Sequence, residues 1–187
     1  MTSINERNKN FNLAMKNFMK GNCTKLESNN DFIIFSEKLK EYFFKHNMPA
    51  QFDIINEERL YTFNDTVKLS KSTIKIFDEN ICNITILPIN KGGVELYRLE
   101  MYKIGSGLGS IFMNAINEVS KETGIIVYMI PGDPGNNIQG DDQKRRNFYH
   151  KFGFKRLSTS KYWSNHQIVK KENIESRLHI FNNDQAA

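Results

Sequence analysis

VELYRLEMYKIGSGLGSIFMNAINEVSKETGIIVYMI, residues 94–130, changes its periodicity three times. Residues 94–102 read as an extended strand. KIGSGLGS, residues 103–110, then sets Gly105, Gly107 and Gly109 at alternate positions. Glycine costs conformational entropy in regular structure, so three of them just ahead of a helix imply that something must approach the main chain closely. Leu108, Ile111, Phe112, Ala115, Ile116 and Val119 follow at helical spacing, and Gly124 stands where a C′ residue belongs. IIVYMI, residues 125–130, is a continuous apolar run stopped by Pro131 and Gly132, which predicts a buried strand. Strand, glycine loop, helix and buried strand make a crossover unit, and that unit decides the fold class.

Upstream, NITILPIN, KGG and VELYRLEMY predict two strands joined by a glycine-containing hairpin loop. TVKLSKSTIKIF, residues 66–77, alternates as one half-buried strand. Further back the period becomes helical. Phe32, Phe35, Leu39, Tyr42 and Phe43 mark one amphipathic helix with Asp31 as its N-cap, and Phe11, Met15, Phe18 and Met19 mark an earlier one. Downstream, PGDPGNNIQGDD is a loop and QKRRNFYHKF a short helix closed by Gly153. The expected architecture is α/β: a mixed, mostly antiparallel central sheet flanked by helices, with a helical N-terminal part over residues 1–50. The whole chain, 1–187, reads as a single domain.

The chain has 187 residues, 39% hydrophobic and 25% charged, enough for one packed core. No run reaches the ~20 apolar residues of a membrane span, and the polar N-terminus lacks the core of a signal peptide. Cys23 and Cys82 are too few for a disulfide framework and have no metal-ligand spacing, so no catalytic metal is expected. A cytoplasmic protein is the plain reading, with no membrane partner. The formal charge of +5 favours an anionic ligand. Lys and Arg are scattered, however, and the one dense cluster, Lys144 to Arg146, is too short to make nucleic acid the expected partner.

The glycine loop fits neither phosphate-binding loop defined by a fixed motif. No Lys-Ser/Thr pair follows it, as a Walker A loop requires, and Ser110 stands where a dinucleotide fingerprint needs its third glycine. A plain capping loop and an acyl-CoA pyrophosphate loop remain; the latter would use main-chain N–H groups and the helix dipole. NFYHKFGFKR, residues 147–156, decides between them. With VELYRLEMY, IGSGLGS, the long helix and IIVYMIP, it resembles the GNAT superfamily of acyl-CoA-dependent N-acyltransferases. The resemblance runs from about Val94 to Phe154 and is best over about 81–165.

That resemblance implies an acetyl-CoA-dependent N-acetyltransferase acting on a primary amine of a small molecule, peptide or protein in a ternary complex. It implies that the sheet splays beside the glycine-loop strand. Free N–H groups near Leu99 and Met101 would then hold the pantetheine and the thioester oxygen. Ile104, Gly105, Ser106, Gly107, Leu108, Gly109 and Ser110 would cradle the diphosphate. Tyr149 would protonate the leaving thiolate. Glu95 is the favoured general base, with Glu100 its rival; strand alternation sends the two to opposite faces, so one of them would line the acceptor cleft. Ile104, preceded by Lys103, replaces the usual Arg or Gln, and Asp142 replaces a frequent Asn, so backbone donors are expected to carry more of the binding. The same departures leave a non-catalytic CoA-binding or interaction module as the alternative. His150 is expected at the surface and Trp163 in packing or in the acceptor pocket; His166 and His179 stay unassigned. The N-terminal helices could form an acceptor lid or a homodimer surface.

Overall fold

The hairpin anticipated around residues 91–93 joins the two longest strands of a computed structural model, which describes residues 16, 20–21, 23–63, 66–90, 92–131, 141–157 and 162–165. In chain order its elements are β1 (Thr24–Leu26), α1 (Asn30–Lys45), β2 (Gln51–Ile55), β3 (Arg59–Phe63), β4 (Thr66–Ser70), β5 (Thr73–Asp78), β6 (Cys82–Pro88) and β7 (Val94–Met101). They continue with α2 (Leu108–Thr123), β8 (Val127–Met129), α3 (Asp141–Lys151), β9 (Lys155–Arg156) and β10 (Trp163–Ser164). A seven-stranded sheet has the order β2-β5-β6-β7-β8-β10-β9, and a three-stranded sheet the order β1-β4-β3. The larger sheet is antiparallel except at β7–β8, where the crossover through α2 makes the pair parallel. The expected mixed, mostly antiparallel α/β architecture is present, but in two sheets.

That division corrects one expectation. TVKLSKSTIKIF is two strands, each in a different sheet. The Ser70 hydroxyl turns back to donate to the Ser72 carbonyl at 2.6 Å, while Lys71 N–H extends the pairing with β1 by donating to Leu26 O at 3.1 Å. Alternation could not reveal the break, because β4 is covered on both faces and Val67, Lys68 and Ser70 are all buried.

Phe32, Phe35, Leu39 and Phe43 of α1 pack with Phe112, Met113, Ala115, Ile116 and Val119 of α2 over one face of the large sheet. Burying each large side chain contributes on the order of 2 kcal/mol. The N-cap of α1 is Asn29, whose Oδ1 accepts from Phe32 N–H at 2.9 Å. Asp31 lies inside the first turn instead, and its carboxylate accepts from Gly93 N–H at 2.6 Å, tying α1 to the hairpin. On α2, Ile111 is exposed rather than buried, whereas Asn117 and Ser120 are buried. The earlier amphipathic segment and the 132–140 loop lie outside the described residues, apart from Lys16, which is helical. Among the described residues no helix is long and apolar enough to cross a membrane.

Candidate functional site

Strand β7 carries an extra residue. Thr85 opposes Arg98 and Ile86 opposes Leu96, leaving Tyr97 as a bulge between them. The bulge resets the alternation. Val94 and Leu96 face the helix-side core before it, and Leu99 and Met101 face the same core after it. Glu95 and Glu100 therefore share the opposite face, contrary to what unbroken alternation implies. Glu95 is buried and Glu100 exposed.

The same reset aims the main chain. Val94 N–H donates to Ile126 O at 3.1 Å, toward β8, and Tyr102 N–H donates to Ile81 O at 2.9 Å, toward β6. Counting back from Tyr102, the amides of Glu100 and Arg98 face β6, and those of Leu99 and Met101 face the β8 side. On that side β8 pairs with β7 only through Val94 and Glu95. Among the described residues no strand pairs with β7 on that side beyond Glu95, so the Leu99 and Met101 N–H groups point to a side on which no described strand meets them.

The chain leaves β7 through Tyr102, Lys103 and Ile104, the last 95% exposed, and enters α2 at Gly107. Gly107 is the N-cap at φ 80°, with no side-chain cap to the helix and no acidic residue in its first turn. Ser106 Oγ donates to Lys103 O at 2.7 Å, which shapes the turn and leaves only a 3.5 Å contact from Leu108 N–H. Ser110 N–H bonds back to Gly107 O at 3.0 Å, and the uncompensated helix dipole favours an anion at this position. Gly105 and Gly107 are required by their positive φ, and a Cβ on either would stand in open space. Gly109 differs: its Cβ would meet Met101 Cγ and Phe148 Cζ at 3.4 Å. The end of β7, the start of α2 and the aromatic motif on α3 thus converge at Gly109. Leu108, Gly109 and Ser110 are half-buried, and Gly105, Ser106 and Gly107 are exposed.

Tyr149 is buried in the helix-side core between Phe148 and Phe154, with ring centroids 5.3 and 6.3 Å away. Among the described residues its hydroxyl has no hydrogen-bond partner. Burial pushes its pKa up to about 12 against a weaker opposing pull from Arg145, so the phenol is protonated at neutral pH. His150 is exposed as expected, its ring 4.6 Å from that of Trp163, and Trp163 is packed in the core. Asp142 lies in the first turn of α3.

Glu95 was expected to face a cleft or water. It pairs instead with the buried Lys68 ammonium from β4. Lys68 Nζ also stands 5.9 Å from the Tyr97 ring centroid and 5.8 Å from that of Tyr162. The Tyr61 ring lies 5.4 Å from Tyr97, and the Tyr61 hydroxyl hydrogen-bonds Thr73 Oγ1 at 2.7 Å. Burial raises the pKa of both Tyr61 and Tyr97. Tyr128, the register partner of Glu95, packs with Ile126 and Leu157 on this same face.

Sequence reasoning missed Lys68, because its partner is 27 residues away and a polar residue in an alternating strand reads as solvated. It also missed Asn165. The Asn165 amide donates to Ser120 Oγ at 2.9 Å and Asn117 Oδ1 at 3.3 Å, and its Oδ1 accepts from Val127 N–H at 2.9 Å. Asn117 in turn donates to Phe152 O at 2.8 Å. This buried network holds α2, β8 and the end of α3 together.

Among the described residues no group of His, Cys, Asp and Glu could hold a metal ion. A cavity of about 430 Å³ is lined by Phe43, Phe44, Asn47, Met48, Ala50, Gln51, Phe52 and Asp53. It lies at the β2 edge, separated from β7 by β5 and β6, and contains none of the residues put forward from the sequence.

Compared with known proteins, the chain matches no protein-family model and no curated protein. Among solved structures it is similar to the anti-CRISPR protein AcrVA5, with 15% identity, a TM-score of 0.39, and coverage of 47% of this chain and 93% of that one.

Proposed function

We propose that the chain is a GNAT-type N-acetyltransferase that moves an acetyl group from acetyl-CoA to a primary amine. The observation that carries this reading is the end of β7–β8 pairing after Glu95. It frees the Leu99 and Met101 amides on a strand that runs directly into a glycine-capped helix N-terminus. An extended pantetheine arm can pair with those amides as a strand edge would. The same donors can stabilise the oxyanion that forms when an amine attacks the thioester. Lys103 and the first turn of α2 supply positive potential for the diphosphate.

Glu95 and Tyr149 lie on opposite faces of the large sheet. Glu95 is assigned to take a proton from an incoming amine, which is mostly protonated at pH 7, and its pairing with Lys68 must open for an external acceptor to reach it. Tyr149 is assigned to meet the leaving sulfur. Its raised pKa limits what it can do there. Burial, which raises it to about 12, keeps the phenol protonated and favours hydrogen-bond donation over full ionisation. Tyr149 therefore acts by donating a hydrogen bond to the developing thiolate, and water supplies the proton that finally resides on sulfur. Holding both substrates in one cleft provides much of the remaining acceleration.

The test is acetyl-CoA titration followed by amide NMR, together with thiol release across a panel of amines. Shifts at Leu99, Met101, Gly107 and Gly109, with turnover, support the proposal. Binding without consumption would indicate a non-catalytic coenzyme-binding module. Unmoved amides would refute the assignment altogether.

A further inference from the structure

The buried ion pair between Lys68 and Glu95 places a primary amine of this chain on the carboxylate assigned to receive an acceptor's proton. Glu95 is the last β7 residue paired with β8, so the amine stands at the end of that pairing, beside the strand that carries Leu99 and Met101 onward. Lys68 Nζ is also 5.9 Å from the ring of Tyr97, the bulge residue two positions before Leu99. Tyr97 and Tyr162 approach the ammonium with their ring faces, a contact that holds a cation without consuming its hydrogen-bond donors. Lys68 is therefore a buried primary amine held against the proposed base with donors left over.

We propose that Lys68 is a self-acetylation site, its Nζ accepting the acetyl group from acetyl-CoA bound to the same molecule. The inference rests on the acetyltransferase reading above. In the step, the Lys68 ammonium gives one proton to Glu95, which passes it to water. The neutral amine attacks the thioester carbonyl, the C–N bond forms, and the C–S bond breaks. The amine's second proton leaves with amide formation, and the thiolate departs against the Tyr149 hydroxyl and is protonated from water. The products are Nζ-acetyl-Lys68, free CoA thiol and one net proton.

Selectivity separates this from adventitious chemistry. Uncatalysed acetylation favours exposed lysines such as Lys71, whose side chain is 54% exposed, whereas that of Lys68 is 7% exposed. The full chain is incubated with acetyl-CoA, and intact mass and peptide mapping follow the label. The expected result is one acetyl group on Lys68, ahead of Lys71, at a rate per molecule independent of protein concentration. Glu95→Gln should slow labelling by roughly 10²-fold. Lys68→Arg, which keeps a cation beside Glu95 but removes the nucleophile, should abolish the label while the protein stays folded. Labelling of exposed lysines first, or a rate that rises with protein concentration, overturns the proposal. Turnover of external amines with Lys68 unmodified overturns it and leaves the acetyltransferase assignment standing. Failure to bind acetyl-CoA, measured in parallel by calorimetry, overturns both.

Discussion

Replacing Gly93 by alanine attacks the point where β7 and β8 are joined. Gly93 sits at φ +85°, a conformation that costs an alanine about 1–2 kcal/mol. The added Cβ would lie 2.8 Å from Ile126 O and 2.8 Å from Tyr128 Cε2. Ile126 O cannot retreat cheaply, because it accepts the Val94 N–H bond that opens the parallel pairing. Overpacking of this kind costs about 1–3 kcal/mol, so the sum is about 2–5 kcal/mol. For a chain of this size each kcal/mol lowers Tm by about 2–4 °C, giving a loss of roughly 4–20 °C by thermal circular dichroism. Gly105→Ala is the matched control. Its φ is +82°, but a Cβ there meets nothing within 4 Å, so the conformational cost of about 1–2 kcal/mol stands alone. Equal losses in the two variants would show that the contacts with Ile126 and Tyr128 impose nothing, and that glycine is present at residue 93 only for its backbone angles.

Tyr149→Phe should lower kcat for acetyl transfer by about 10²-fold while leaving acetyl-CoA affinity within about twofold, read by thiol release and calorimetry. The same variant bears on alkaline stability. The folded-state pKa of Tyr149 is raised from 10.0 to about 12, so the stabilisation is complete below pH 10 and lost as pH climbs from 10 through 12. It amounts to about 3 kcal/mol. Urea unfolding across that window should decline less steeply in Tyr149→Phe, with Tyr61 and Tyr97 still contributing in both proteins. Asn165→Ala should cost about 2–4 kcal/mol in urea unfolding, because it leaves the buried Val127 N–H without its acceptor and removes the bonds to Asn117 and Ser120. Lys68→Met should cost about 3–5 kcal/mol by stranding the Glu95 carboxylate, whereas Lys68→Met with Glu95→Leu should recover most of it. A double variant no more stable than the single one would mean that the pair is not the origin of the loss.

Much of the architecture is legible in residues 94–130 because local rules govern it. The glycine at residue 107 starts α2, Gly124 stops it, and the apolar run after it has no surface on which to remain exposed. FYHKFGF likewise forms the end of a helix closed by Gly153. The errors arise where pairing over long sequence distance overrides a local pattern. Asp31 and Asn29 are equally good caps by composition, and Asp31 is diverted by Gly93, 62 residues away. TVKLSKSTIKIF keeps its alternation yet is divided between sheets, since β4 is claimed by β1 and β3.

The candidate site divides in the same way. Its glycines, its aromatic motif and Tyr149 follow from residue types at short spacing, where steric and capping demands act within a turn or two. The side on which Glu95 lies, its bond to Lys68 and the end of pairing between β7 and β8 do not. They follow from which strands the sheets bring to β7: β4 supplies Lys68, β8 ceases to pair after Glu95, and the extra residue at Tyr97 puts Glu100 on the face of Glu95. A bulge turns each following side chain and amide to the other face, and its position depends on which partner strand β7 meets, which only the assembled sheet decides.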